Sequence, residues 1–141
     1  MKHIMKVYVM TAVLLLVSGG YVFGELSPLV YQQMQQDAQE YYIIRITRVR
    51  TPFRLFSRDK PVIASAAVQQ VIRSQRSAVP GEIIEIRYES YAPPRGWVGP
   101  RPVPILNRGS SYHAFLSWSE ANGYFTPAAR GASFDPPIEF D

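Results

Sequence analysis

A period of two, met in three successive runs between Tyr41 and Tyr91, constrains this chain more than any other feature. In the first run Tyr42, Ile44 and Ile46 share one phase, and Val49, Phe53 and Leu55 continue it on the odd positions. A slip of one residue near Thr47-Arg48 is what a β-bulge produces, and it predicts one bent strand over residues 41–56. In the second run Val62, Ala64, Ala66 and Val68 alternate, although Val68, Val71 and Ile72 would also suit a helix. A strand is the better reading, because a third run follows across a polar turn containing Pro80-Gly81. There Ile84, Ile86 and Tyr88 face inward while Glu85, Arg87 and Glu89 face outward. The three runs predict an antiparallel meander, with arginines 45, 48, 50 and 54 outside, since an unpaired buried guanidinium costs several kcal/mol.

The meander has a helix before it and more strand after it. Residues 25–40 read as a short amphipathic helix. Ser27 can cap it, Pro28 suits its first turn, and Leu26, Val30, Met34, Ala38 and Tyr41 recur near the helical period. Its other face is glutamine-rich, so it either covers one end of the β domain or docks a partner. Downstream, Pro93, Pro94, Pro100, Pro102 and Pro104 forbid a regular ladder between Ala92 and Pro104. Strand character returns at Ser111 to Ser119, and Ala121-Asn122-Gly123 turns the chain into Tyr124-Phe125-Thr126. The expected fold is mainly β, a small closed or half-closed antiparallel barrel over 41–134 with a tail at 135–141. At 141 residues the chain has room for one such domain.

Residues 1–24 point to the compartment. Lys2, His3 and Lys6 precede the apolar run Val7–Val17, then Ser18-Gly19-Gly20 and Val22-Phe23-Gly24. That is the order of a secretory signal peptide. Ile4–Phe23 is also just long enough to cross a bilayer core of about 30 Å, so a retained membrane anchor is the competing reading. In both cases the lysines stay cytoplasmic and the remainder is exported, periplasmic or secreted. Of the formal +4 charge, 15 basic against 11 acidic residues, Lys2 and Lys6 supply half. The chain has no cysteine, which excludes a disulfide framework, a cysteine nucleophile, a thiolate metal site and a lipoprotein-type lipid anchor.

Two stretches carry a resemblance. Ala64 to Tyr88 reads ASAAVQQVIRSQRSAVPGEIIEIRY, and residues 105–134 read ILNRGSSYHAFLSWSEANGYFTPAARGASF. Together they resemble the netrin-like module of the tissue-inhibitor-of-metalloproteinase type, an OB-fold barrel, over roughly residues 41–134. The resemblance implies an OB-like fold and a habit of binding proteins. It implies no protease inhibition, because the chelating N-terminal cysteine of those inhibitors has no counterpart here.

Catalytic chemistry finds few residues to work with. His113 is the only histidine beyond His3, and it lies in an expected strand without the partners that a triad or a zinc site requires. Glu85 and Glu89 flank Arg87 on one face, a salt-linked surface more simply than a carboxylate pair. A phosphate-binding glycine loop is absent. The chain therefore reads as no enzyme, with no cofactor and no metal. Its basic residues say more. Arg45, Arg48, Arg50, Arg54, Arg58, Lys60, Arg73 and Arg76 fall between residues 41 and 76 with Asp59 the only acid. Arginine favours bidentate contacts with carboxylate or phosphate. Export argues against nucleic acid, leaving an envelope or membrane protein, or an anionic membrane surface, as partner. Arg95 and Trp97, set among prolines, are residue types that anchor interfaces. The same arginines could be a solvated strand face, and Trp97 could fold inward to cap the barrel. Two functions follow: a non-enzymatic envelope module that binds protein through Arg45, Arg48, Arg50, Arg54, Arg58, Arg95 and Trp97, or a membrane-anchored accessory subunit of a membrane complex.

Overall fold

The computed structural model describes residues 24–136, so the signal or anchor segment lies outside the described residues except for Gly24. Helix α1 (Pro28–Asp37) is followed by strands β1 (Glu40–Arg50), β2 (Asp59–Arg73), β3 (Ile83–Tyr91), β4 (Ser111–Ser119) and β5 (Tyr124–Pro127). A short 3-10 turn, Arg130–Ala132, leads to the two-residue strand β6 (Phe134–Asp135).

The meander forms as the alternation predicts. β1 pairs antiparallel with β2 and β2 with β3, so residues 62–74 are strand up to Arg73. The register slips between Ile46 and Arg48, where the apolar phase changes. Closure comes from the C-terminal half: β4 pairs antiparallel with β1 and β5, and β5 lies parallel to β3 at Ile86↔Phe125. The result is a closed five-stranded barrel, with β6 pairing on β4 next to β5 and placing Phe134 in the core. The expected all-antiparallel barrel is thus corrected at one seam. A parallel neighbour is possible there because the long crossover through β4 separates β3 from β5.

Tyr42, Ile44, Ile46, Ala64, Ala66, Val68, Ile84, Ile86, Ala114, Leu116 and Phe125 fill the barrel. Alanines on β2 and β4 stand beside large residues on the neighbouring strands, Ala64 and Ala66 beside Ile86 and Ile84 and Ala114 beside Tyr42, which leaves room for those side chains inside a small barrel. The proline segment between β3 and β4 lies against this core and contributes Leu106, 2% exposed. Proline lacks an N–H but keeps its carbonyl, and β3 uses two such acceptors and that of Val103 between them. Tyr88 donates to the Pro104 carbonyl at 2.6 Å, Ser90 to that of Val103 at 2.7 Å, and Tyr91 to that of Pro100.

Two expectations need correction. The first strand stops at Arg50, and Phe53 and Leu55 are 85% and 65% exposed rather than inward. Pro52 explains this, since it has no amide to give the ladder and the chain leaves the sheet before it. The helix buries most of the expected face, with Met34, Ala38 and Tyr41 packed together, but Val30 is 39% exposed and Tyr31 takes the buried place beside it. Tyr31, Met34, Gln35 and Ala38 turn to the domain, while Leu29 is 73% exposed. Ser27 caps it by accepting from the Leu29 amide at 3.2 Å. Arg73 satisfies its last turn, donating to the carbonyls of Ala38 at 2.9 Å and Gln35 at 2.7 Å. Below it Ala38, Phe115 and Ala129 form a second small core.

Candidate partner-binding surface

The strand pairings place the basic residues. β1 keeps β4 as a neighbour only as far as Arg45↔Ser111, but keeps β2 to Arg50↔Ile63, and β2 keeps β3 to Asp59↔Tyr91. The β1–β2 hairpin therefore projects past the closed part of the barrel, with one edge of β1 unpaired beyond Ile46. Inward positions of β1 are even before the bulge; afterwards Val49 packs on the core, so Arg48 and Arg50 point out. Their cross-strand neighbours on β2 are Ser65 and Ile63, neither of which can neutralise a guanidinium.

The seven residues singled out from the sequence separate into three groups. Arg48, Arg50, Arg54 and Arg58 lie on the projecting hairpin, and every residue from Arg50 to Lys60 is exposed. Arg45 stands on the other side of the bulge, beside a shallow hollow lined by Asn107, Gly109, Ser110 and Tyr112. Arg95 and Trp97 sit on the proline segment. The groups are not equally free. Arg54 pairs with Glu89 at 2.7 Å, with both side chains about half exposed (51% and 53%), an arrangement worth at most about 1 kcal/mol. Arg45, Arg48, Arg50, Arg58 and Arg95 make no ion pair among the described residues. On β3, Arg87 pairs with Glu85 at 2.6 Å, the salt-linked face expected there.

Trp97 does not plug the barrel. It is 49% exposed, donates Nε1–H to the Pro100 carbonyl at 3.3 Å and meets the Tyr91 ring edge-on at 6.1 Å. Its indole lies flat over Gly99, where an added Cβ would come within 2.2 Å of it. Because Tyr91 is paired with Asp59, Trp97 and the hairpin tip share one end of the molecule. What the sequence reading missed is also there. Phe53, Leu55 and Phe56 are 85%, 65% and 100% exposed on the tip, and Pro52 was the signal that the strand had already ended.

The opposite end holds the best-connected polar group. Glu40, 1% exposed, accepts from Tyr42, from Ser74 Oγ at 2.5 Å, and from the amides of Gln75 at 3.0 Å and Arg76 at 3.2 Å. Burial, and next the Glu40 carboxylate, push the Tyr42 phenol up to about 12. Arg76 lies over the rings of Trp118 and Phe125 at 4.7 and 5.3 Å and pairs with Glu82 at 2.7 Å. His113 Nδ1 is 2.9 Å from the Tyr41 hydroxyl. Among the described residues no three acidic or histidine side chains are placed to share a metal ion, and no buried side-chain polar atom lacks a partner. Nor is any described helix long and apolar enough to cross a membrane.

No protein-family model, curated protein or solved structure matches this chain.

Proposed function

We propose that this chain is an exported, non-enzymatic protein-binding module of the bacterial cell envelope, built on an OB-like barrel. It docks through the arginines of the β1–β2 hairpin and the Trp97 loop. The pairing order of the five strands, with β3 and β5 parallel across the seam, supports the OB-like reading, and the netrin-like kinship is proposed for the fold and its protein-binding habit only. One observation carries the docking: Arg48, Arg50 and Arg58 stand exposed and without an ion-pair partner on a hairpin that projects beyond the barrel. A solvated strand face would more commonly interleave both signs, whereas residues 48–60 hold five cations against the single acid Asp59. An acidic protein surface in the envelope fits that charge.

Charge reversal at Arg48, Arg50 and Arg54 together tests it. Capture of envelope proteins by the triple glutamate variant should fall, and the salt dependence of what remains should flatten, with the melting temperature held within a few degrees. Unchanged capture at low and high salt would reduce the arginines to solvated surface.

A second reading, a membrane-anchored accessory subunit, rests on the apolar run Val7–Val17, long enough with its flanks to cross a bilayer. Glu25 lies 3.6 Å from Arg101, next to Pro100, whose carbonyl accepts from both Tyr91 and Trp97. Glu25 is thereby linked to the end of the domain that carries Trp97. The mass of the native protein separates the two readings: an N-terminus near Glu25 excludes the anchored form, and an intact N-terminus excludes the released one.

A further inference from the structure

We propose that the tip of the β1–β2 hairpin, residues 51–58, seats on an anionic lipid bilayer. Its three large apolar side chains take no part in the docking described above, which uses the arginines and Trp97. Phe53, Leu55 and Phe56 are 85%, 65% and 100% exposed within four residues of chain. Scattered single apolar residues on a surface need no explanation, but three together on a projecting tip do. Phe56 is moreover held at φ 61°, a left-handed backbone conformation that a bulky aromatic residue seldom adopts. The fold gives this ring nothing to pack on, so the conformation does not serve the core.

Charge selects the occupant. Arg50, Arg54, Arg58 and Lys60 flank the three apolar side chains, all of them exposed, and Glu89 neutralises only Arg54. Apolar side chains at a tip with a collar of cations is the composition of a segment that dips into the headgroup and upper acyl region of an anionic membrane. A protein groove that accepted the same tip would have to match three rings and chains and four cations at once. A bilayer of anionic lipid does so without any built shape. The location agrees with this occupant. Glu25, Arg101, Pro100 and Tyr91 form a run of direct contacts from the start of the described chain to the base of the tip, where Tyr91 pairs with Asp59. Glu25 and the tip are therefore linked through one end of the domain.

The absence of cysteine makes the test clean. Ser57→Cys in the full chain carries one environment-sensitive fluorophore at the tip. Glu120→Cys, in the β4–β5 turn at the opposite end, carries it as control. On phosphatidylglycerol vesicles the tip label should shift to the blue and be quenched by a nitroxide on the lipid, while the control label remains in water. On phosphatidylcholine vesicles the tip label should stay in water. The triple variant Phe53→Ser, Leu55→Ser, Phe56→Ser should lose the tip signal and keep its melting temperature, because none of the three side chains is packed. The readout is local to the tip, so it does not depend on how residues 1–23 engage the vesicle. A tip label that stays in water on phosphatidylglycerol overturns the proposal. So does one shielded equally by lipid-free envelope proteins, which would make the tip a protein-docking element. The docking proposal is scored by protein capture with the Arg48, Arg50, Arg54 reversal and the lipid proposal by the tip label with the apolar triple variant, so the failure of one is distinct from the failure of the other.

Discussion

Removing the Glu40 carboxylate should cost this domain a large part of its stability, although Glu40 lies far from the proposed binding end. The carboxylate gathers four donors where β1 begins and the β2–β3 turn closes: two hydroxyls, of Tyr42 and Ser74, and two amides, of Gln75 and Arg76. In Glu40→Ala the amides belong to exposed turn residues and can turn to water, but the Tyr42 side chain is fully buried (0% exposed) and its hydroxyl has only Ser74 left, at 3.2 Å. Each stranded buried donor costs about 1–3 kcal/mol, and the charge that no longer needs desolvating offsets part of that. The expected net loss is about 2–4 kcal/mol, a large fraction of the roughly 5–15 kcal/mol that holds a small domain together. Glu40→Gln should lose less, about 1 kcal/mol, because its oxygen can still accept from the two amides while both hydroxyls rotate to accept from its NH₂. Urea unfolding followed by tryptophan fluorescence reads both, as a shift of midpoint at constant slope. An alanine variant within about 0.5 kcal/mol of the parent would refute the idea that this carboxylate ties β1 to the turn.

The raised Tyr42 phenol gives an alkaline prediction. A folded value of about 12 against 10.0 means that the fold favours the neutral phenol, so the contribution is complete below pH 10 and disappears as pH rises through about 12. Unfolding free energies measured across that window should fall with a slope that is reduced in Tyr42→Phe, and an unchanged slope would sink the assignment. At the barrel seam, Ile86 is fully buried (0% exposed) and is the β3 residue that meets Phe125. Ile86→Ala should cost about 2–5 kcal/mol, whereas Ile83→Ala, on the 63% exposed side of the same strand, should stay within about 0.5 kcal/mol. Equal losses from the two would mean that the seam is not where the structure places it.

The meander was legible because its information is local. Alternation in Tyr42–Ile46 and Ile84–Tyr88 fixes which side chains turn inward, and a one-residue change of phase can only be absorbed by a bulge, found between Ile46 and Arg48. The parallel seam was not legible. Ile86 and Phe125 are far apart in sequence, and neither carries a mark that says which strand it will meet. Tyr31 was missed for a related reason: the helical period gave one apolar face, but the domain offered Arg101 and the Ala132 carbonyl, partners for Tyr31 and Gln35 that only the folded chain brings near. At the hairpin tip the apolar phase of the sequence runs on through Pro52 to Leu55, but the ladder ends at Arg50. The arginines were found by composition alone, and the fold then divided them, leaving Arg45 on the far side of the bulge.

That division bears on how the two ends of the barrel can change. At the Glu40 end the turn is tied by a buried carboxylate, and Arg76 is held between Glu82 and the faces of Trp118 and Phe125. At the other end, every residue from Arg50 to Lys60 is exposed, and only Arg54 reaches back to the sheet through an ion pair. Cohesion in a domain this size resides in the buried contacts, so substitutions at the tip leave the core as it was. The length, charge and apolar content of the tip can therefore vary with little consequence for folding, while a single change at Glu40 cannot. The recognition chemistry proposed for the tip would thus fall on a segment whose sequence the fold leaves free.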